Sequence, residues 1–182
     1  MDIQFNYEYR EDQVRAFPLE ELAVFALQLE EVEDNVEASV TFVDNEQMAR
    51  LNEEYRGKVG PTDVLSFECD GLDDDGFPDP FAEAFEEEEL PFQLGDIVIA
   101  PDVAEEQAKK FNTTFEGEMS LLLVHGLLHL CGYDHIEDDE AEVMKQKERD
   151  ILTAWGAHQG DDTAVQTLIL LEHPHHGRNG EE

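Results

Sequence analysis

The stretch from residue 116 to residue 131 constrains the fold of this chain most, because it is apolar almost throughout and long enough for a helix of several turns. A helix that is apolar on every side belongs in the middle of a domain, where each polar side chain needs a partner. His125 and His129 interrupt the apolar run, and Gly132 predicts its end, because glycine readily adopts the left-handed conformation that terminates helices. The sequence therefore predicts a central helix that carries two imidazoles.

His125 and His129 are candidate metal ligands, because residues four apart in a helix lie on one face, a turn apart. Such a pair alone is more often structural than ligating. Here Gly132 predicts a turn that brings His135 back, so that three imidazoles converge on one ion. The motif supplies no fourth ligand, and a vacant position is typical of catalytic zinc. The pattern therefore predicts a hydrolytic zinc site, in which the ion activates a bound water or neutralises a phosphoryl oxygen.

The spacing of His125, His129, Gly132 and His135 equals that of the zinc motif in metzincin proteases. Those proteases carry a glutamate directly after the first histidine as the general base, whereas this chain has Gly126 there. A metzincin-like metallopeptidase is therefore an alternative hypothesis that lacks its base.

Other residues of ligating type are interpreted differently. Cys131 follows His129 by two positions, which points it off the metal face of a helix, and we interpret it as a packing residue. His173, His175 and His176 lie near the end of the chain and could bind metal adventitiously.

Patterns elsewhere predict a sheet with flanking helices. Alternating or continuous apolar runs predict strands, and caps or prolines followed by apolar residues at helical spacing predict helices. The predicted strands are residues 3–9, 38–43, 64–67 and 96–100, and the predicted helices are residues 18–31, 46–55, 101–111, 116–131 and 137–155. The sequence of residues 165–171 predicts a further strand or short helix.

One domain is expected over residues 1–156, because this length suits a single core. Residues 70–93 are rich in acids, glycine and proline, which predicts a long surface loop inserted in that domain. The acids in this loop do not follow the spacing of a calcium-binding loop. Residues 157–182 are expected to form a flexible tail.

The formal net charge of −35 opposes nucleic-acid binding, because Lys and Arg normally supply the affinity for phosphate. An RNA-binding function therefore requires a local basic patch. One hypothesis is a salt-rich cytoplasm, since the Debye length falls to about 3 Å at 1 M salt and distant acids are then screened. The simpler alternative is that the acidic surface maintains solubility.

The chain is expected to be cytoplasmic, without a membrane partner. Cys69 and Cys131 are too few for a disulfide framework. The N-terminus has no basic region ahead of an apolar one, and the longest apolar run is too short and too often interrupted to span a bilayer.

Two blocks of sequence closely resemble the signature of the YbeY family of ribosomal RNA maturation endoribonucleases. The first is the string from His125 to His135, with glycine, leucine, tyrosine and aspartate in the gaps. The second comprises Asn52, residues 55–58 and residues 61–67, and residues 95–99 resemble the strand that follows. Two spaced motifs in the right order make a chance match improbable. The similarity covers roughly residues 38–155.

The resemblance implies an α+β fold in a single domain, with a small mixed β-sheet packed against several helices and the metal-binding helix central. It implies a zinc-dependent, single-strand-specific endoribonuclease that matures the 3′ end of the small-subunit ribosomal RNA and serves ribosome quality control. One zinc ion per chain would be held by His125, His129 and His135. The implied partners are single-stranded ribosomal RNA, the small ribosomal subunit and ribosomal proteins.

The family's functionally important arginine falls on Arg56, and Lys58 is a candidate to assist it in binding substrate. A guanidinium between a helix and a glycine is well placed to grip phosphate or to stabilise a phosphoryl transition state. Alternatively, Arg56 pairs with an acid such as Glu53. The general base stays unassigned. A third hypothesis is a non-catalytic ribosome-assembly factor, in which a bound metal braces the helix and its following loop.

Overall fold

A computed structural model of the chain describes residues 1–68, 91–133 and 138–159. The described elements follow in the order β1 Asp2–Tyr7, α1 Glu11–Arg15, α2 Leu19–Leu29, β2 Val36–Phe42, α3 Asn45–Arg56, β3 Val64–Glu68, β4 Phe92–Ile99, α4 Pro101–Phe111, α5 Phe115–Leu130 and α6 Asp138–Gln159.

The four strands form one mixed sheet in the order β1-β2-β4-β3. β1 pairs with β2 and β2 with β4 in parallel, whereas β3 pairs with β4 in antiparallel fashion. The register of β2 against β4 shifts between Glu37 and Ala38, and Gly95 lies opposite this irregularity with a φ of 145°. The predicted α+β fold with a small mixed sheet is confirmed.

Two apolar clusters build the core on the two faces of the sheet. The larger cluster joins α2, α5 and α6 to β1, β2 and β4, and includes Ile97 and Ile99. The smaller one includes Val98, which points to the opposite face, together with Met48 of α3 and Leu65 of β3. α5 is central to the larger cluster, as its apolar sequence predicts, because nearly all of its residues are buried.

Side-chain caps and glycines set the ends of the helices that matter for the site. The Asp44 carboxylate accepts from the backbone N–H of Gln47 at 2.8 Å and starts α3, and Gly57 ends it with a φ of 65°. The Thr114 hydroxyl accepts from the N–H of Gly117 at 3.0 Å and starts α5. Gly132 has the predicted positive φ, at 99°.

The structure differs most from the predicted elements in three places. α1 was not predicted. β4 begins at Phe92, so the last two residues assigned to the 70–93 loop belong to a strand, where Gln93 pairs with Glu37 of β2. α6 continues to Gln159, so residues 157–159 are helical rather than tail. Residues 69–90 and 160–182, including the predicted element at 165–171, lie outside the described residues.

Across the described ranges, none of the helices combines the length and the apolar character that crossing a membrane would require.

Candidate functional site

The two predicted helix ligands meet on one face of α5. His125 is fully buried and His129 is half-buried, and their Nε2 atoms lie 3.1 Å apart. The two rings are nearly perpendicular, with an interplanar angle of 81°. The spacing of four residues therefore brings both imidazoles together on one face, as the sequence predicts, and the structure shows that they approach through their Nε2 atoms.

Glu148 of α6 contacts the other side of the His125 ring. Its Oε1 lies 2.6 Å from His125 Nδ1, and both side chains are almost completely buried, at 4% and 1% exposure. Sequence reasoning missed Glu148. The signal was present, because Glu148 occupies the apolar stripe of α6 at helical spacing. The other buried members of that stripe are Ala141, Met144, Ile151, Leu152 and Trp155.

The pair of histidines fits a zinc ion in its donor chemistry and spacing. Imidazole nitrogens are preferred zinc ligands, and two of them bound at about 2.0–2.1 Å in tetrahedral geometry would lie roughly 3.4 Å apart. The observed Nε2–Nε2 distance of 3.1 Å is close to that value. Within the part of the chain that the structure describes, no third side chain of ligating type completes a group of three. His135, the third predicted ligand, lies outside the described residues.

The turn after α5 has the geometry of a Schellman cap. The N–H of Gly132 donates to the carbonyl of His129, and the N–H of Tyr133 donates to the carbonyl of Leu128, both at 3.0 Å. This cap requires the positive φ of Gly132 and ends α5 shortly after the second histidine.

Tyr133 anchors the end of this turn to two other helices. Its hydroxyl donates to Glu30 Oε2 at 2.8 Å, and Lys147 Nζ lies 3.5 Å from Glu30 Oε1. Burial and the Glu30 carboxylate raise the pKa of Tyr133, and the same carboxylate raises the pKa of Lys147. The ends of α2 and α5 and the middle of α6 are therefore joined just before the chain continues toward His135.

Gly126 has no room for the glutamate that a metzincin protease carries at this position. A Cβ on Gly126 would lie 2.9 Å from Cγ2 and 3.1 Å from Cδ1 of Ile97, which is fully buried in β4. Gly126 therefore packs closely against β4, and a larger side chain at this position would force α5 away from that strand.

Cys131 is half-buried and packs against the main core. Burial and the nearby Glu30 raise the pKa of its thiol from 9.0 to about 11. Since the thiolate is the form that binds metal, a raised pKa favours the interpretation of Cys131 as a packing residue.

A cavity of about 680 Å³ opens beside the turn, between the end of α2 and the start of β4. Leu94 and Leu130 give it an apolar part, while Glu30, Glu31 and Glu33 line it with carboxylates. This cavity is therefore electrostatically unfavourable for a phosphate backbone.

Arg56 and Lys58 lie elsewhere, at the junction of α3 with the loop that leads to β3. Arg56 is the last residue of α3, and both side chains are half-buried. Among the described residues, no ion pair joins Arg56 to Glu53 or to another carboxylate. The structure thus gives no support to the alternative that Arg56 serves mainly to pair with Glu53.

Buried polar groups hold this loop at both ends. The Asn52 side-chain amide donates to the carbonyl of Gly60 at 2.8 Å, across the turn that contains Lys58. The Asp63 carboxylate accepts from the N–H of Val64 at 2.8 Å and from the Gln107 amide at 3.2 Å. Asn52 and Asp63 belong to the second sequence block but had no predicted role, and their contacts now assign them to positioning the loop.

Comparisons with known proteins agree with both blocks. The family model of endoribonuclease YbeY matches residues 4–156. Endoribonuclease YbeY of Lysinibacillus sphaericus (strain C3-41) is 44% identical over 138 residues, which is 76% of this chain and 84% of the relative. Endoribonuclease YbeY of Bacillus subtilis (strain 168) is 43% identical over 138 residues, again 76% of this chain and 84% of the relative. The protein of Geobacillus kaustophilus (strain HTA426) is 45% identical over 144 residues, 76% of this chain and 85% of its own.

A solved structure is also similar. The solution structure of a protein from Thermotoga maritima matches with a TM-score of 0.52 and 29% identity, and the match covers 86% of this chain and 93% of that one.

Proposed function

This chain belongs to the endoribonuclease YbeY family, and from that membership we propose that it is a zinc-dependent, single-strand-specific endoribonuclease. Its proposed role is maturation of the small-subunit ribosomal RNA 3′ end and ribosome quality control in the cytoplasm. The proposed partners are ribosomal RNA, the small ribosomal subunit and ribosomal proteins. The observation that carries the proposal is the pair of Nε2 atoms 3.1 Å apart on a buried helix, within a family of nucleases.

One zinc ion per chain would be held by His125, His129 and His135. The donor chemistry and spacing of the first two support this assignment. The cap at Gly132 and the anchored Tyr133 support the third, because they end α5 and hold the chain in place two residues before His135. When bound, zinc would supply a Lewis acid that activates a water or neutralises a phosphoryl oxygen.

Arg56 would bind the scissile phosphate and stabilise its developing charge, with Lys58 as a second cationic contact. Their position on a loop held by buried polar groups supports this role, because a phosphate ligand must be held in a defined place to act in a transition state. Two cations only two positions apart in the sequence would also contribute to the local basic patch that a chain of net charge −35 needs in order to approach RNA.

The metallopeptidase alternative is less well supported, because Gly126 packs against Ile97 where the protease requires its general base. A non-catalytic ribosome-assembly factor would bind zinc and small subunits but show no metal-dependent cleavage. RNA hydrolysis is the simplest function that accounts for both the family membership and the paired histidines.

Zinc content and RNA cleavage should be measured on the same protein. We suggest the full-length chain with alanine at His173, His175 and His176, because truncation near residue 158 would remove the end of α6. We expect one zinc per chain and cleavage of single-stranded RNA that a chelator abolishes and zinc restores. Duplex RNA and a peptide library serve as controls.

Two variants separate the proposed roles. His129→Ala is expected to abolish zinc binding and cleavage together. Arg56→Ala is expected to keep the zinc and lose most of the cleavage, whereas Arg50→Ala, a charge-matched change on the same helix, should keep both. Cleavage that is unaffected in Arg56→Ala would refute the phosphate-binding role, and zinc-loaded protein that cleaves no RNA would favour the assembly factor.

A further inference from the structure

We propose that Glu148 is a positioning residue, which fixes the tautomer and the orientation of His125 so that its Nε2 lone pair faces the metal position. The inference rests on the proposed zinc site and extends it to α6, an element outside both sequence motifs. It starts from one contact, the 2.6 Å approach of Glu148 Oε1 to His125 Nδ1.

The contact determines which nitrogen carries the proton. With Glu148 ionised, its carboxylate only accepts hydrogen bonds, and His125 Nδ1 is then the donor in this pair. The neutral imidazole then has its lone pair on Nε2, the atom that lies 3.1 Å from His129 Nε2. Zinc requires a neutral imidazole with a free lone pair on the coordinating nitrogen. The Glu148 contact therefore selects the tautomer of His125 that can bind metal.

Burial makes this contact specific. The side chains of Glu148 and His125 are 4% and 1% exposed, so water does not offer either group an easy substitute. A buried carboxylate is costly unless it is hydrogen-bonded, and nothing in the packing of α6 alone requires one in a stripe of apolar residues. A carboxylate that accepts from the second nitrogen of a metal-binding histidine is a recurring arrangement, and its loss usually weakens metal affinity about 10- to 100-fold.

The test uses the full-length chain with alanine at the three tail histidines His173, His175 and His176. Zinc affinity is measured by competition with a chromophoric chelator. Glu148→Ala is expected to weaken zinc binding by about 10- to 100-fold. Glu148→Gln keeps a carbonyl acceptor for Nδ1–H without the charge, so we expect it to recover part of that loss. Glu142→Ala, which removes an exposed carboxylate of the same helix, is the matched control and should not change the affinity.

A second measurement does not depend on metal binding. In metal-free protein labelled with ¹⁵N-histidine, long-range ¹H–¹⁵N correlation spectra report which nitrogen is protonated. We expect His125 to be protonated at Nδ1 in the unmodified protein and in Glu148→Gln, and to shift toward the Nε2–H tautomer in Glu148→Ala.

The outcomes separate this inference from the proposed function. If the parent protein binds zinc and a folded Glu148→Ala binds it equally well, the positioning role is wrong while the zinc site stands. An Nε2–H tautomer of His125 in the metal-free parent protein would also overturn it, including when Glu148→Ala does not fold. If the parent protein binds no zinc, the zinc site and the inference fail together.

Discussion

Replacing Gly95 by alanine is expected to lower the free energy of unfolding by about 4 kcal/mol, because β4 has no room for a side chain there. A Cβ at Gly95 would lie 2.2 Å from the carbonyl oxygen of Phe67 and 2.7 Å from Leu130 Cδ2. Overpacking of this kind costs about 1–3 kcal/mol. The φ of 145°, which residues with a side chain rarely adopt, adds about 1–3 kcal/mol. Such a loss is a large share of the roughly 5–15 kcal/mol that stabilises a typical domain.

Urea denaturation followed by circular dichroism, with a chelator present, measures this loss without a contribution from metal. Gly57→Ala is the matched control, because Gly57 also has a positive φ, of 65°, yet a Cβ at this position would have no neighbouring atom within 4 Å. It should lose only about 1–2 kcal/mol, from backbone strain. Equal losses in the two variants would show that the close approach of β4 to Phe67 and Leu130 is not a source of strain, and would refute the reasoning.

Three further predictions concern the turn after α5, the thiol of Cys131 and the net charge of the chain. Tyr133→Phe removes the hydrogen bond to Glu30 and should weaken zinc binding severalfold, because it loosens the chain before His135. Tyr9→Phe, which loses a similar hydrogen bond to Asp102, should leave zinc binding unchanged. Equal zinc affinities of the two variants would contradict the anchoring role of Tyr133. The pKa of Cys131 is raised from 9.0 to about 11 by burial, so its contribution to stability is present below pH 9 and is lost as the pH rises to about 11. Cys131→Ala should therefore flatten the loss of stability over that range, and identical pH profiles would count against it. Because the net charge is −35, the free energy of unfolding should be higher at about 1 M salt than at low salt, and the opposite result would refute the screening hypothesis.

The elements with strong periodicity could be predicted from the sequence, and those held by tertiary contacts could not. α1 has five residues, of which only Val14 is buried, so it presents no helical stripe. The start of β4 at Phe92 is set by pairing with β2 and not by its own alternation. The end of α6 is extended by His158, which stacks on Phe25 at a centroid distance of 5.1 Å, a contact between helices distant in sequence.

In the candidate site, too, the contact set by helical spacing could be predicted from the sequence, and the contact between two helices could not. The meeting of His125 and His129 follows from helical spacing alone, and the geometry confirms it. Their role as zinc ligands, and that of His135, stay predictions. The partner of His125 could not be deduced, because it depends on how α6 packs against α5, although a glutamate within the apolar stripe of α6 was a detectable anomaly.

The two sequence blocks are parts of one structural unit, because glycines let β4, which lies between them in the sequence, approach the histidine helix α5. β3 follows the loop that begins after Arg56, at the end of α3. It pairs with β4, and both strands pack against α5. Gly95 of β4 lies against Leu130, and Gly126 of α5 lies against Ile97 of β4, with no space for a Cβ in either place. A side chain at either glycine would therefore push the histidine helix away from β4, and so from β3, the strand that pairs with β4. In this chain, close packing against Ile97 therefore leaves Gly126 little room for the glutamate that a metzincin protease carries at the same position.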